Sequence, residues 1–141
     1  MRRSMKRSDL MFVAWATALT ATLGSLFYSE FLGYTPCEWC WYQRILMYPL
    51  VIIYGVALLK NEKNTALPGL ILSGAGVLVS TYHYSVQKVP ALKTPGGSCG
   101  TVPCTVEYVN YLGFITIPFL ASTAFIIIFI THLLLLRKKE Q

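Results

Sequence analysis

The chain has 141 residues, of which 55% are hydrophobic and 13% charged, and its 12 Lys+Arg against 6 Asp+Glu give a net charge of +6. Soluble domains carry roughly 25% charged residues, and a soluble fold of this size could not bury so much apolar surface. The mean hydropathy of +0.53 agrees, so an ordinary soluble domain is excluded and the bilayer is the expected solvent. Four helices of roughly 20 residues each would leave about 60 residues for tails and loops, too few for a second globular domain. Residues 1–141 are therefore read as one membrane domain.

Four apolar runs follow one another, at about 10–28, 41–59, 66–86 and 114–136. Each is long enough to cross roughly 30 Å of hydrocarbon at about 1.5 Å per residue. The expected fold class is an all-α membrane protein, a four-transmembrane-helix bundle with outer loops near 29–40 and 87–113. Nine basic residues fall on one face: Arg2, Arg3, Lys6, Arg7, Lys60, Lys63, Arg137, Lys138 and Lys139. The other face has only Lys88, Lys93 and, at its margin, Arg44. The positive-inside rule then makes both termini cytoplasmic in a multi-pass protein of the cell membrane. The basic tails act as topology signals with affinity for anionic membrane lipid, and no nucleic-acid role is expected. The first run is too long for a signal-peptide core and no A-x-A cleavage site follows it, so it is read as an uncleaved helix.

Small residues recur at helical spacing in two of the runs, as Ala14, Ala18, Ala21 and Ser25 in the first and Gly69, Ser73, Gly76 and Ser80 in the third. Such stripes let helix backbones approach closely in lipid. Pro49 and Pro118 are expected to bend the second and fourth helices.

All four cysteines fall in the outer loops, as Cys37-x2-Cys40 and Cys99-x4-Cys104. That compartment is oxidising. Three chemistries suit the spacing. A structural disulfide closing so short a loop restrains the unfolded chain little. Four thiolates could hold zinc. Short-loop pairs are also the labile ones in thiol–disulfide exchange, which ranks first. Cys40 opens the second helix, where the helix dipole favours a thiolate, and Arg44 lies one turn on, on the same face. Alone, Arg44 would be read as snorkelling to the headgroups; beside a C-x-x-C pair it can also stabilise a thiolate and an anionic ligand. Trp39, Trp41 and Tyr42 suit an interfacial belt.

Dithiol oxidation needs a two-electron acceptor. The two histidines, His83 near the outer end of the third run and His132 near the inner end of the fourth, are too far apart to share a haem or a metal. No G-x-G-x-x-G signals a dinucleotide. A quinone dissolved in the bilayer needs no such motif, and could dock near Arg44 and Cys40. His83 could hydrogen-bond a quinone oxygen or relay a proton, and equally could be an interfacial residue satisfied by a neighbour. His132 is assigned to packing or to the cytoplasmic margin.

The pattern C-x-x-C-x-x-x-R opening a second membrane helix, with a second outer cysteine pair, resembles the DsbB family of disulfide-bond formation proteins. The C-x4-C pair and the short chain are most similar to its BdbC-type branch. The resemblance covers essentially the whole chain. It implies an enzyme, a thiol:quinone oxidoreductase that reoxidises an extracytoplasmic thioredoxin-fold thiol oxidase (DsbA/BdbD-like) and passes the electrons to menaquinone or ubiquinone. It also implies the roles. Cys99 would take the mixed disulfide with the partner and Cys104 would complete that pair. Cys37 would exchange with the second pair, Cys40 would stand against the quinone, and Arg44 would match the family's quinone-site arginine. No metal, haem or flavin is expected. The best-studied members space the second pair more widely, a departure that bears on any Cys37–Cys104 interloop disulfide. Two alternatives are kept. One is a vitamin K epoxide reductase-like enzyme, in which the quinone-reactive pair comes late in the chain rather than first. The other is a structural membrane subunit with a zinc or disulfide lid.

Overall fold

The computed structural model describes residues 6–36, 38–60, 66–89, 91 and 110–140. Four helices account for nearly all of them: α1 (Arg7–Leu26), α2 (Glu38–Lys60), α3 (Ala66–Lys88) and α4 (Ile117–Glu140). A π-helical turn, Phe27–Phe31, extends α1. At the start of α1 the Asp9 carboxylate accepts a hydrogen bond from the Lys6 backbone N–H at 3.1 Å, which places a negative charge where the helix dipole favours it.

Three of these helical segments are long and apolar enough to cross a membrane: Arg7–Phe31, Glu38–Lys60 and Ile117–Lys138. The third expected span forms a 23-residue helix, α3, but it is not among those three. Its sequence sets Ser73, Ser80, Thr81, His83, Ser85 and Gln87 among aliphatic residues. Ser73, Ser80, His83 and Gln87 among them are buried, and the Ser85 hydroxyl donates to the Thr81 carbonyl of the same helix. Ser73 and Ser80 are fully buried, and their hydroxyls donate to the carbonyls of Gly69 at 2.6 Å and Gly76 at 2.7 Å, so neither is left unsatisfied.

Consecutive helices pack antiparallel, and α4 closes the ring against α1, while α2 and α4 face each other across a diagonal with little contact. Both small-residue stripes lie in these interfaces. Ala14 and Ala18 are buried, and Gly69, Ser73, Gly76 and Ser80 are all buried. The α3–α4 seam is the tightest. A Cβ on Gly76 would land in the Phe125 ring, and one on Gly69 would collide with His132 and the Tyr54 hydroxyl. His132 is wholly buried and its Nε2 hydrogen-bonds the Tyr54 hydroxyl, in keeping with a packing role. The core continues through Leu50, Ile128 and Leu135.

Several expected boundaries shift. α4 begins at Ile117 rather than near 114, because Leu112 and Gly113 have φ of +57° and +84° and the Tyr111–Ile115 bridge closes a tight turn. Pro118 is thus the second residue of α4 and not a mid-helix bend; in the first turn its missing N–H has no partner to lose. α2 continues through Pro49 without interruption. The turn before α4 is tied to the end of α3: the Tyr84 hydroxyl donates to the Phe114 carbonyl and Lys88 Nζ to the Gly113 carbonyl, both at 3.1 Å.

Candidate functional site

At the end of the bundle where α2 begins, α1, α2 and α4 part around a pocket of about 610 Å³. Its walls come from the last turns of α1, the 34–36 segment, the first three turns of α2 and the first three of α4. Met47, Ile117, Leu120 and Phe125 make it largely apolar. Cys40, Gln43 and Arg44 from α2 and Ser25 of α1 are among its polar lining residues. The volume falls within the roughly 300–1,000 Å³ typical of small-molecule sites, and the mixture of apolar walls with a few convergent polar groups is also typical.

Local sequence produces this arrangement. Cys40 is the third residue of α2 and half-buried. Gln43 and Arg44 follow at three and four residues, so all three share one face of the helix. Arg44 does not snorkel to the surface. Its Nε donates to the Ser25 hydroxyl at 3.0 Å and its Nη2 to the Ser25 carbonyl at 3.1 Å, while the guanidinium lies 5.3 Å from the Trp41 ring centroid. These contacts fix a half-buried cation on the pocket wall. Among the described residues no carboxylate pairs with it. The π-helical turn sits beside the same wall and supplies Tyr28 and Ser29 to it; π turns recur at functional sites.

His83 lies one layer behind the wall. It is wholly buried and does not line the pocket. Its Nδ1 accepts from the Gln43 amide Nε2 at 2.9 Å. Gln43, 6% exposed, is held between the pocket and this ring. Sequence reasoning missed both Gln43 and Ser25. The i+3 spacing from Cys40 could have pointed to Gln43, but Ser25 read only as part of a packing stripe. Of the sequence-predicted site residues, Cys40 and Arg44 meet at the pocket and His83 joins them through Gln43. Cys37, Cys99 and Cys104 lie outside the described residues. The zinc reading needs all four thiolates, so it too rests on residues outside that set.

The profile of the family described as disulfide bond formation protein DsbB matches residues 6–135. The chain belongs to the DsbB family. It is 60% identical over 137 residues to a probable disulfide formation protein of Oceanobacillus iheyensis, covering 96% of this chain and 94% of the relative. It is 55% identical over 136 residues to a probable disulfide formation protein C of Halalkalibacterium halodurans, covering 96% and 99%. The disulfide bond formation protein C of Bacillus subtilis is 45% identical over 135 residues, covering 96% and 98%. No solved structure matches. DsbB membership sets aside the vitamin K epoxide reductase-like alternative. It gives the chain a role in disulfide bond formation, as a membrane oxidoreductase.

Proposed function

We propose that the protein oxidises an extracytoplasmic thioredoxin-fold thiol oxidase and delivers the electrons to a membrane quinone at the α1–α2–α4 pocket. The observation that carries this reading is Cys40 and Arg44 lining one apolar pocket of about 610 Å³. A quinone headgroup suits such a site, being flat, mostly apolar and dependent on a few hydrogen-bond donors. Arg44 and Gln43 are the donors present. α3 is taken as the fourth span, because it is 23 residues long and packs along α4 throughout. The distribution of basic residues then puts both termini in the cytoplasm and both cysteine pairs outside.

A bound quinone supplies an acceptor for two electrons and two protons. The chain's own residues do the rest. The partner's dithiol attacks the Cys99–Cys104 disulfide at Cys99, and each exchange breaks one S–S bond as it forms another. The same exchange passes the oxidising equivalent from Cys37–Cys40 to the second pair and leaves Cys37 and Cys40 reduced. Arg44, anchored by Ser25, keeps positive charge one turn from Cys40 and stabilises its thiolate. The apolar walls exclude water from that sulfur. His83 orients the Gln43 amide.

Arg44 gives the test. If it binds the quinone and the Cys40 thiolate, the planar fork of donors matters and lysine is not equivalent. The loss of a hydrogen bond to a charged group costs about 1–3 kcal/mol, which is roughly 5- to 150-fold in apparent quinone affinity. Arg44→Lys should raise the quinone KM by that factor while exchange with a reduced thioredoxin-fold partner continues, and Arg44→Met should do so more severely. Unchanged quinone kinetics in Arg44→Lys would remove the pocket from this role.

A further inference from the structure

The helical glycines fall into two groups. Gly69 and Gly76 leave no room for a Cβ, because His132, Tyr54 and Phe125 fill the space. At Gly55 and Gly74 a Cβ would stand in ordinary contact with protein, 3.4 Å from the Trp15 indole and the Phe129 ring. Gly24 differs from all four. A Cβ there would meet nothing within 4 Å, yet the residue sits inside the continuous helical run Arg7–Phe31, where glycine is destabilising relative to alanine. No protein neighbour requires it. The open space it faces is the pocket, which Gly24 lines with Cys40 and Arg44. The next residue, Ser25, is the one that anchors the Arg44 guanidinium.

We propose that Gly24 is the seat of the ligand's ring: bare helix backbone at this position lets a flat quinone headgroup lie against α1 beside Arg44, so that residue 24 sets which headgroups fit. The inference rests on the quinone reading of the pocket and adds a specificity-determining position to it. A methyl at 24 takes space from the ring and none from the protein. A fused two-ring headgroup, which covers more of the wall, is penalised more than a single ring.

The test uses full-length protein in detergent and two tail-less quinones, menadione with a fused ring and duroquinone with a single one. Binding is read at equilibrium from quenching of tryptophan fluorescence, and stability from thermal unfolding without quinone. Gly24→Ala should unfold at the native temperature or above it and bind menadione several-fold more weakly, with a smaller loss for duroquinone. Gly24→Leu should lose at least tenfold for both. Native affinity for menadione in both variants would overturn the seat, and so would a lowered unfolding temperature in Gly24→Ala, which would make the glycine a structural one. Failure of the underlying reading looks different: neither quinone would then bind the native protein, and Arg44→Met would change nothing.

Discussion

The two ends of the bundle use the same residue types for opposite purposes. At the end where α3 begins, α3 and α4 close on each other until Gly69 is covered by His132 and Tyr54, and further along the seam Gly76 is covered by Phe125. At the other end, α1, α2 and α4 stand apart around a pocket bordered by Gly24, Ser25 and Ala21. Small side chains bring helices together in the first region and leave a gap in the second. What decides between them is the opposing element. A large buried ring faces each glycine of the seam, and open space faces Gly24. The tight end can thus hold the bundle together while the open end takes a ligand.

The contrast breaks most readily in the seam. The Phe125 ring stands where the new methyl would go and can yield only by leaving its packed position toward the pocket, so Gly76→Ala should cost about 2 kcal/mol, the middle of the range for overpacking. Thermal unfolding in detergent would register the loss; a Gly76→Ala protein as stable as native would deny that the seam is the rigid end. Next comes the pocket's back wall. His83→Ala removes the partner that orients Gln43, and should raise the quinone KM about tenfold, equivalent to about 1.4 kcal/mol, with thiol exchange unchanged. A fall in thiol exchange instead would tie His83 to the cysteines rather than to the pocket.

Tyr54→Phe sharpens the comparison, since it strips a buried hydrogen bond from the tight end alone. Interhelical bonds of this kind contribute about 1 kcal/mol in lipid, so stability should fall by that amount while quinone KM stays at its native value. Any shift in KM would mean that the two ends communicate. The smallest effect is expected at the turn that precedes α4. Tyr84→Phe removes an exposed bond to the Phe114 carbonyl and should cost about 0.5 kcal/mol, visible as faster amide exchange at 114–117 and not as a change in turnover.

The helices were legible because the length and apolarity of a run nearly define a helix in lipid. Their ends were less so. The start of α4 depends on the left-handed backbone at Leu112 and Gly113, and an apolar run through Phe114 and Ile115 hides that turn. The third run announced its packing face through Gly69, Ser73, Gly76 and Ser80, all of them buried. In the site, Cys40 and Arg44 were legible because one helical turn separates them. The partners that fix them were not. Ser25 is 19 residues from Arg44 and Gln43 is 40 from His83, and only tertiary packing brings such pairs together. His132 and Tyr54, 78 residues apart, show the same limit.

The first two turns of α2 also act as a ruler. Glu38, Cys40 and Arg44 stand on one helix, and at about 1.5 Å per residue Cys40 lies about 3 Å and Arg44 about 9 Å along its axis from Glu38. Glu38 accepts a hydrogen bond from the Tyr42 hydroxyl at 2.8 Å, Trp41 is half-exposed, and both aromatic rings suit the headgroup layer. The Cys40 sulfur and the Arg44 guanidinium thus leave one helix about 6 Å apart along its axis, held there by backbone that cannot stretch. On the function proposed above, chemistry begun by a water-borne thiol and finished by a lipid-borne acceptor would need no domain to swing between the two phases, because the pitch of one helix sets the distance.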